Sequence, residues 1–229
     1  MNQKENIIKE YEKEEVVDTF DSQRSKYAYQ RFKHRKESKV LQNAIKSCEE
    51  DKIKVLDCAC GTGRMIYPIF SCGSNKNGVL QQIRYTGLDS SETMLNSIKQ
   101  EGYNIELVHG DAEHLPFEDN TFDVVFTFHL LWHLPKEVQL NIIREMKRVC
   151  KKGGRIIIDI INGDFRFGEK TEGIYKWGEI SKFPKAKIDK LNDFPFKNSF
   201  VYSIFNIINY LEKILPINLF HMIYITIQK

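Results

Sequence analysis

The chain has 229 residues, 41% of them hydrophobic and 28% charged, a balance that buries a core and excludes a disordered tail protein. Lys and Arg total 34 against 31 Asp and Glu, and the resulting net charge of +3 is too even for a dedicated nucleic-acid binder. Five cysteines, at 48, 58, 60, 72 and 150, are an odd and sparse set that fits reduced thiols in a cytoplasmic protein, not a disulfide scaffold.

The first residues, MNQKENIIKEYEKEE, are charged throughout and read as neither a signal peptide nor a membrane span. Residues 1–52 read as a helical leader or cap: Ile7, Ile8, Tyr11, Val16, Val17 and Phe20 recur at roughly helical spacing, and 26–49 make a second helical stretch. The remainder, 53–229, reads as one domain. Within it short β-branched runs alternate with helix-period segments. The expected strands are Ile53–Cys58, Ile83–Asp89, Asn104–His109, Phe122–Phe128 and Arg155–Ile161, with His221–Gln228 as a last one. The expected helices are Gly63–Ser71, Glu92–Gly102 and Lys136–Lys152, the last stopped by Gly153-Gly154. This alternation predicts an α/β fold with a doubly wound parallel sheet. Residues 163–198 lose the pattern but are rich in aromatics, and 199–215 read as an apolar helix too short to span a bilayer.

The most informative stretch is VLDCACGTGR, 55–64. A buried strand ends at Asp57 and turns through small residues, Ala59, Cys60 and Gly61, where a backbone can approach a ligand and a new helix offers unpaired N–H groups. The next two strands end in Gly87-Leu88-Asp89-Ser90 and Gly110-Asp111-Ala112. Carboxylates at three successive strand ends suit an adenosine-type ligand, with Asp89 accepting ribose hydroxyls and Asp111 reading the adenine amino group. Plainer roles stay open, since Asp57 can cap the turn and Asp89, Ser90 or Ser91 can cap the helix from Glu92. Cys58, Cys60 and Cys72 lack a second Cys/His pair at zinc spacing, so no metal is expected.

Four stretches in order, VLDCACGTGR, TGLDSSETML, HGDAEHLPFEDNTFDVV, and Arg144–Val149 followed by KKGGRIIID, resemble the class I S-adenosylmethionine-dependent methyltransferases over about Arg35–Ile161. The family's usual first loop glycine is Ala59 here. The resemblance implies a Rossmann-like seven-stranded sheet of order 3-2-1-4-5-7-6 with the last strand antiparallel, and S-adenosylmethionine as cofactor, released as S-adenosylhomocysteine. It implies that Ala59 and Gly61 line the methionine part, that Asp57 braces the loop, and that Ser90 and Met94 flank the adenine. Asp111 and Ala112 would meet the adenine edge, and Phe128 the methionine end. Tyr29 and Arg35 fall where small-molecule N-methyltransferases place an aromatic and an Arg over the cofactor. The 163–198 segment falls where the family inserts an acceptor-binding lid. The helix before the sixth strand has only Lys187–Phe200 as a candidate, so that strand is expected to be short or displaced.

Methyl transfer to an amine or hydroxyl needs alignment, a dry pocket and a way to lose a proton. His133 and His129 are the expected proton acceptors, and Trp132, Tyr175 and Trp177 the expected acceptor walls. The implied reaction is in-line transfer to an N, O or C atom of a small metabolite, an amino sugar, a quinone or a peptide terminus, with no nucleic acid. Two other readings compete. A nicotinamide dehydrogenase would need Gly where Ile66 stands, and the intact loop and acids argue against a non-catalytic cofactor-binding or scaffold protein.

Overall fold

A computed structural model describes residues 9–17, 19, 28–73, 82–100, 102–161, 186–191 and 222–229. Strands β1 Lys52–Cys58, β2 Gln82–Asp89, β3 Ile105–His109, β4 Phe122–Thr127, β5 Cys150–Ile161, β6 Ala186–Leu191 and β7 Met222–Gln228 form a 7-stranded sheet in the order β3-β2-β1-β4-β5-β7-β6. The first five run parallel, and β7 is antiparallel to both β5 and β6. This is the doubly wound order expected.

Burial follows position in the sheet. In β1 the exposed Lys52 and Lys54 give way to a fully buried end, and the central β4 is buried at every residue, as a strand covered on both faces must be. Alternate side chains of β4 feed two cores. Val124 and Phe126 join one with Leu41 and Ile45 of helix α1 (Ala28–Lys46) and Ile69 of α2 (Ile66–Phe70). Val125 joins the other with Leu56, Ile158 and the apolar stripe Ile142, Met146 and Val149 of α4 (Lys136–Val149). Helix α3 (Glu92–Asn96) follows β2, and its N-cap is Ser91, whose side chain accepts from Met94 N–H at 3.2 Å.

Several boundaries differ from the sequence expectation. Helix α4 stops at Val149, because Cys150 already pairs with Phe122 and β5 runs on through Lys151–Gly154. The two glycines read as a helix stop lie inside that strand, with Gly153 at φ +81 and the backbones of Gly153 and Gly154 both bonded to Lys229. Helices α2 and α3 are each five residues, shorter than the expected Gly63–Ser71 and Glu92–Gly102. Strand β6 occupies Ala186–Leu191, where the sequence offered the start of a helix at Lys187; pairing with β7 overrides local propensity there. The expected helix at 199–215 and most of the 163–198 segment lie outside the described residues.

Gly63 positions the start of α2. It sits at φ +74, and a Cβ there would meet Ile66 Cδ1 at 2.6 Å. Gly63→Ala is therefore expected to lower stability by about 1–2 kcal/mol, read as a shift of the urea midpoint.

Candidate active site

The loop after β1 is held open from below and from the side. Leu88 carbonyl accepts from Ala59 N–H at 2.7 Å and from Cys60 N–H at 3.0 Å, so the loop hangs on the neighbouring strand. Ala59, Gly61 and Gly63 all have φ between +54 and +74, which turns the backbone sharply and, at Ala59, forces a non-glycine residue into the left-handed region. The Asp89 carboxylate completes the brace: Oδ2 accepts from Gly61 N–H at 2.7 Å and Oδ1 from Ser91 N–H at 2.9 Å. Capping of α3 thus belongs to Ser91, and Asp89 is left at the floor of a cleft. Burial pushes its carboxyl up, against the pull of those backbone N–H groups.

One cleft gathers Ala59, Cys60, Gly61, Asp89, Ser90, Met94, Asp111, Ala112, Phe128, His129 and His133. Asp57 lies beneath it, 3% exposed, accepting from Tyr85 hydroxyl at 3.0 Å. Trp132 does not line it; its indole packs on His133 with the ring planes tilted by 31° and 3.6 Å between ring centres. Tyr29 falls in α1, but its side chain is outside the described residues, as are Tyr175 and Trp177. Arg35 is exposed and away from the cleft. Helix geometry explains this: Lys33 and Glu37, four residues apart, share the inward face of α1, while Arg35 lies about 200° round from each.

That inward face carries a cluster the sequence did not announce. Glu37 is 1% exposed; Oε1 accepts from His129 Nε2 at 2.8 Å and Oε2 from Arg64 Nη1, and Tyr224 hydroxyl reaches Oε1 at 3.4 Å. Lys33, 5% exposed, places Nζ 3.1 Å from His129 Nδ1. The His129 main chain stands at φ +67, with its N–H donating to both oxygens of Asp159 at 2.9 and 3.0 Å. Burial alone would raise the Glu37 carboxyl, but Arg64, His129 and Lys33 together hold it well below the usual carboxylate range. Burial and then Lys33 push the His129 imidazole well down, so it stays neutral, accepting at Nδ1 and donating at Nε2. Both ring nitrogens are therefore engaged. Glu37, His129 and Asp159 bring ligand-type atoms within 4.8 Å of one another, yet Arg64 pairs with Glu37 and the charges of Lys33 and Arg64 already act on both carboxylates. The donor set suits ion pairing better than a divalent cation.

The cleft also includes Tyr11, Thr62, Arg64, Leu88, Gly110, Leu130, Leu134 and Ile142, none of which the sequence singled out as site residues. Tyr11 arrives because Ser91 hydroxyl donates to its carbonyl at 2.8 Å and Thr93 hydroxyl to that of Glu12 at 3.2 Å, laying residues 9–17 against α3.

Residues 56–158 match the methyltransferase domain family. The match spans a little under half of the chain and marks a similarity to methyltransferase domains. Among curated relatives the chain is similar to demethylmenaquinone methyltransferases of Bacillus pumilus (strain SAFR-032), 35% identical over 150 residues, and Bacillus cereus (strain AH187), 36% identical over 150 residues. Each match covers 63% of this chain and 58% of the relative, so the chain aligns with a little over half the length of these proteins. Among solved structures, the magnesium protoporphyrin IX methyltransferase of Synechocystis PCC 6803 with bound S-adenosylmethionine superposes with a TM-score of 0.61 at 15% identity, covering 99% of this chain and 96% of that one. A possible histamine N-methyltransferase of Thermotoga maritima follows at 0.58 and 18% identity, covering 94% and 97%. A [4+2]-cyclase shares the fold at 0.53 and 16% identity, covering 81% and 77%, so the fold by itself does not name the reaction.

In this domain the β1 carboxylate acts from below the loop. Burial raises Asp57 from the ordinary 3.8 to about 7, opposed by the Tyr85 hydrogen bond and by Arg64. Its proton is held more tightly folded than unfolded, so its contribution to stability is fully present below about pH 4 and is lost as the pH rises through 7. Asp57→Asn should remove that dependence. Relative to wild type, the variant gains stability steadily between pH 4 and 8, measured as urea midpoints along a pH series; a constant difference would show that Asp57 does not titrate there. Among the described residues no helix is long and apolar enough to cross a membrane, and the five cysteines are all buried and free.

Proposed function

We propose that this chain transfers the methyl group of S-adenosylmethionine to a small-molecule acceptor, with a quinol-type ring as the acceptor class. The observation that carries the cofactor part is Asp89, a buried carboxylate at the floor of the cleft whose two oxygens already brace Gly61 and Ser91. A carboxylate has about four lone-pair sites, so two remain for a pair of vicinal hydroxyls. Asp111, Ala112 and Met94 in the same cleft fit the adenine end, and Phe128 and Gly61 the methionine end. The acceptor class rests on the similarity to demethylmenaquinone methyltransferases and on a cleft whose remaining walls, Leu130, Leu134 and Ile142, are apolar and interrupted by two imidazoles.

S-adenosylmethionine, when bound, supplies an electrophilic methyl group on a sulfonium. The protein's part is to align the acceptor atom behind that methyl and exclude water, an ordering worth on the order of 7–11 kcal/mol. For a ring-carbon acceptor a C–C bond forms as the S–CH3 bond breaks, and the ring carbon then loses its proton. A neighbouring hydroxyl must ionise to make that carbon nucleophilic. We assign His133 to receive a proton from the acceptor, because His129 has both ring nitrogens bonded to Lys33 and Glu37 and serves as a fixed wall. No metal enters this scheme.

The test is transfer of labelled methyl from S-adenosylmethionine to a panel of reduced naphthoquinols, amino sugars and peptide termini. Turnover with the quinols and not with their oxidised forms is expected. Cofactor binding without turnover on any acceptor would favour the non-catalytic reading. Absence of cofactor binding would overturn both.

A further inference from the structure

Trp132 stands one side chain back from the cleft. It occupies a 3-10 turn, Leu131–His133, between β4 and α4, and packs partly buried against the core that α1 covers. Its indole meets the imidazole of His133, which does line the cleft, with 3.6 Å between ring centres and the planes 31° apart. That is a contact of faces. The indole Nε1 is buried and has no hydrogen-bond partner among the described residues. A buried N–H without a partner is a cost that phenylalanine, an aromatic ring with no polar atom, would avoid. What tryptophan offers over phenylalanine at such a place is the stronger π face for a cation.

We propose that Trp132 is the positioning residue for His133: its π face holds the imidazole in place and stabilises the imidazolium that forms when His133 takes the acceptor's proton. The inference rests on the proton-acceptor role given to His133 above. In that step the O–H bond of the acceptor hydroxyl breaks, its electron pair stays on oxygen, and the proton passes to a ring nitrogen of His133. The imidazole is then a cation well within about 6 Å of the indole centre, where the ring quadrupole attracts it. The neutral imidazole feels no such attraction, so the contact favours the state after proton transfer over the state before it. The other charges around the pair are placed by the fold. Lys33 Nζ is 6.0 Å from the same indole centre and Arg64 lines the cleft, and both oppose a cation at His133. Asp89 and Asp111 line the cleft too and, when ionised, favour one. Tyr11, Cys60 and His129 are the other titratable groups on the cleft, and Lys136 and Glu137 at the start of α4 are exposed.

The test reads His133 directly and then reads the reaction. NMR with labelled histidine follows the imidazole titrations of the whole chain in wild type, Trp132→Phe and Trp132→Leu, with His133→Asn identifying the signal. The His133 midpoint should fall by about 0.5–1 pH unit in Trp132→Leu and by roughly half as much in Trp132→Phe, the scale of a partly desolvated cation–π contact. The sign separates this role from a merely structural one. An indole that only filled space would act through burial, and its removal would admit water, favour the charged imidazole and raise the midpoint. With an acceptor that turns over, the acid limb of kcat/KM should move to lower pH by the same amount, because the base stays unprotonated further into acid. A midpoint that rises or stays put would overturn the role of Trp132 and leave His133 as the proton acceptor. A midpoint that falls while the acid limb stays would overturn the proton-acceptor role of His133 and this inference with it. Absence of turnover on every acceptor would overturn the methyl-transfer reading and the catalytic part of this inference, and it is told apart from the first failure because the NMR titration needs no acceptor. If Trp132→Leu does not fold by circular dichroism, wild type against Trp132→Phe decides.

Discussion

Asp89→Asn is expected to weaken binding of S-adenosylmethionine and S-adenosylhomocysteine by about two orders of magnitude while the protein stays folded. The carboxylate accepts from Gly61 N–H at 2.7 Å and from Ser91 N–H at 2.9 Å, and it is 8% exposed. An amide side chain has one oxygen for those two donors, so its NH2 must face either Gly61 or Ser91 and push it away. The loop brace and the sites for the ribose hydroxyls are lost together. Hydrogen bonds to a charged group contribute about 1.5–3 kcal/mol each, and the loss of two approaches 3 kcal/mol or more, which is about 100-fold. Calorimetric titration measures the affinity, and circular dichroism checks the fold. Affinity within a factor of three of wild type would remove Asp89 from the cofactor site.

Glu37→Ala is expected to produce the largest loss of stability, about 3–5 kcal/mol by urea unfolding, or a fall in Tm of roughly 10 °C. The size follows from what is left behind. Glu37 compensates Arg64 and receives His129, and Lys33 stands on the other side of the same imidazole. Without the carboxylate two buried cations keep their desolvation cost and lose their counter-charge. The pH dependence runs opposite to that of Asp57. Because the Glu37 carboxyl is held well below the ordinary 4.5, its contribution is present above that value and declines as the pH falls below it, so wild type and variant should converge in acid. A loss under 1 kcal/mol at neutral pH would show that water reaches these charges and that the cluster is peripheral.

Much of the fold and half of the site could be read locally. Strand ends and the turns after them are decided by short runs of β-branched residues and small residues, so Asp57, Asp89 and Asp111 were visible as strand-end acids before any contact was known. Their convergence followed from the order β3-β2-β1, which sets the three carboxyl ends side by side. The α1 face was not legible in the same way. The stretch QRFKHRKESK carries charge all round, and nothing in its periodicity distinguishes Lys33 and Glu37 from Arg35 and Lys36. Helix boundaries slipped for a related reason: Cys150 to Gly154 read as a helix end until pairing with β4 drew the chain into a strand.

By itself the sequence determined the alternation of strands and helices, the turn of small residues after β1 and the acids at three strand ends, because each depends on neighbours a few residues apart. Only the tertiary structure decided which buried charges share the cleft. Glu37 meets His129 across 92 residues and Arg64 across 27, and such pairs form where docking of α1 on the sheet excludes water, a condition no local pattern encodes.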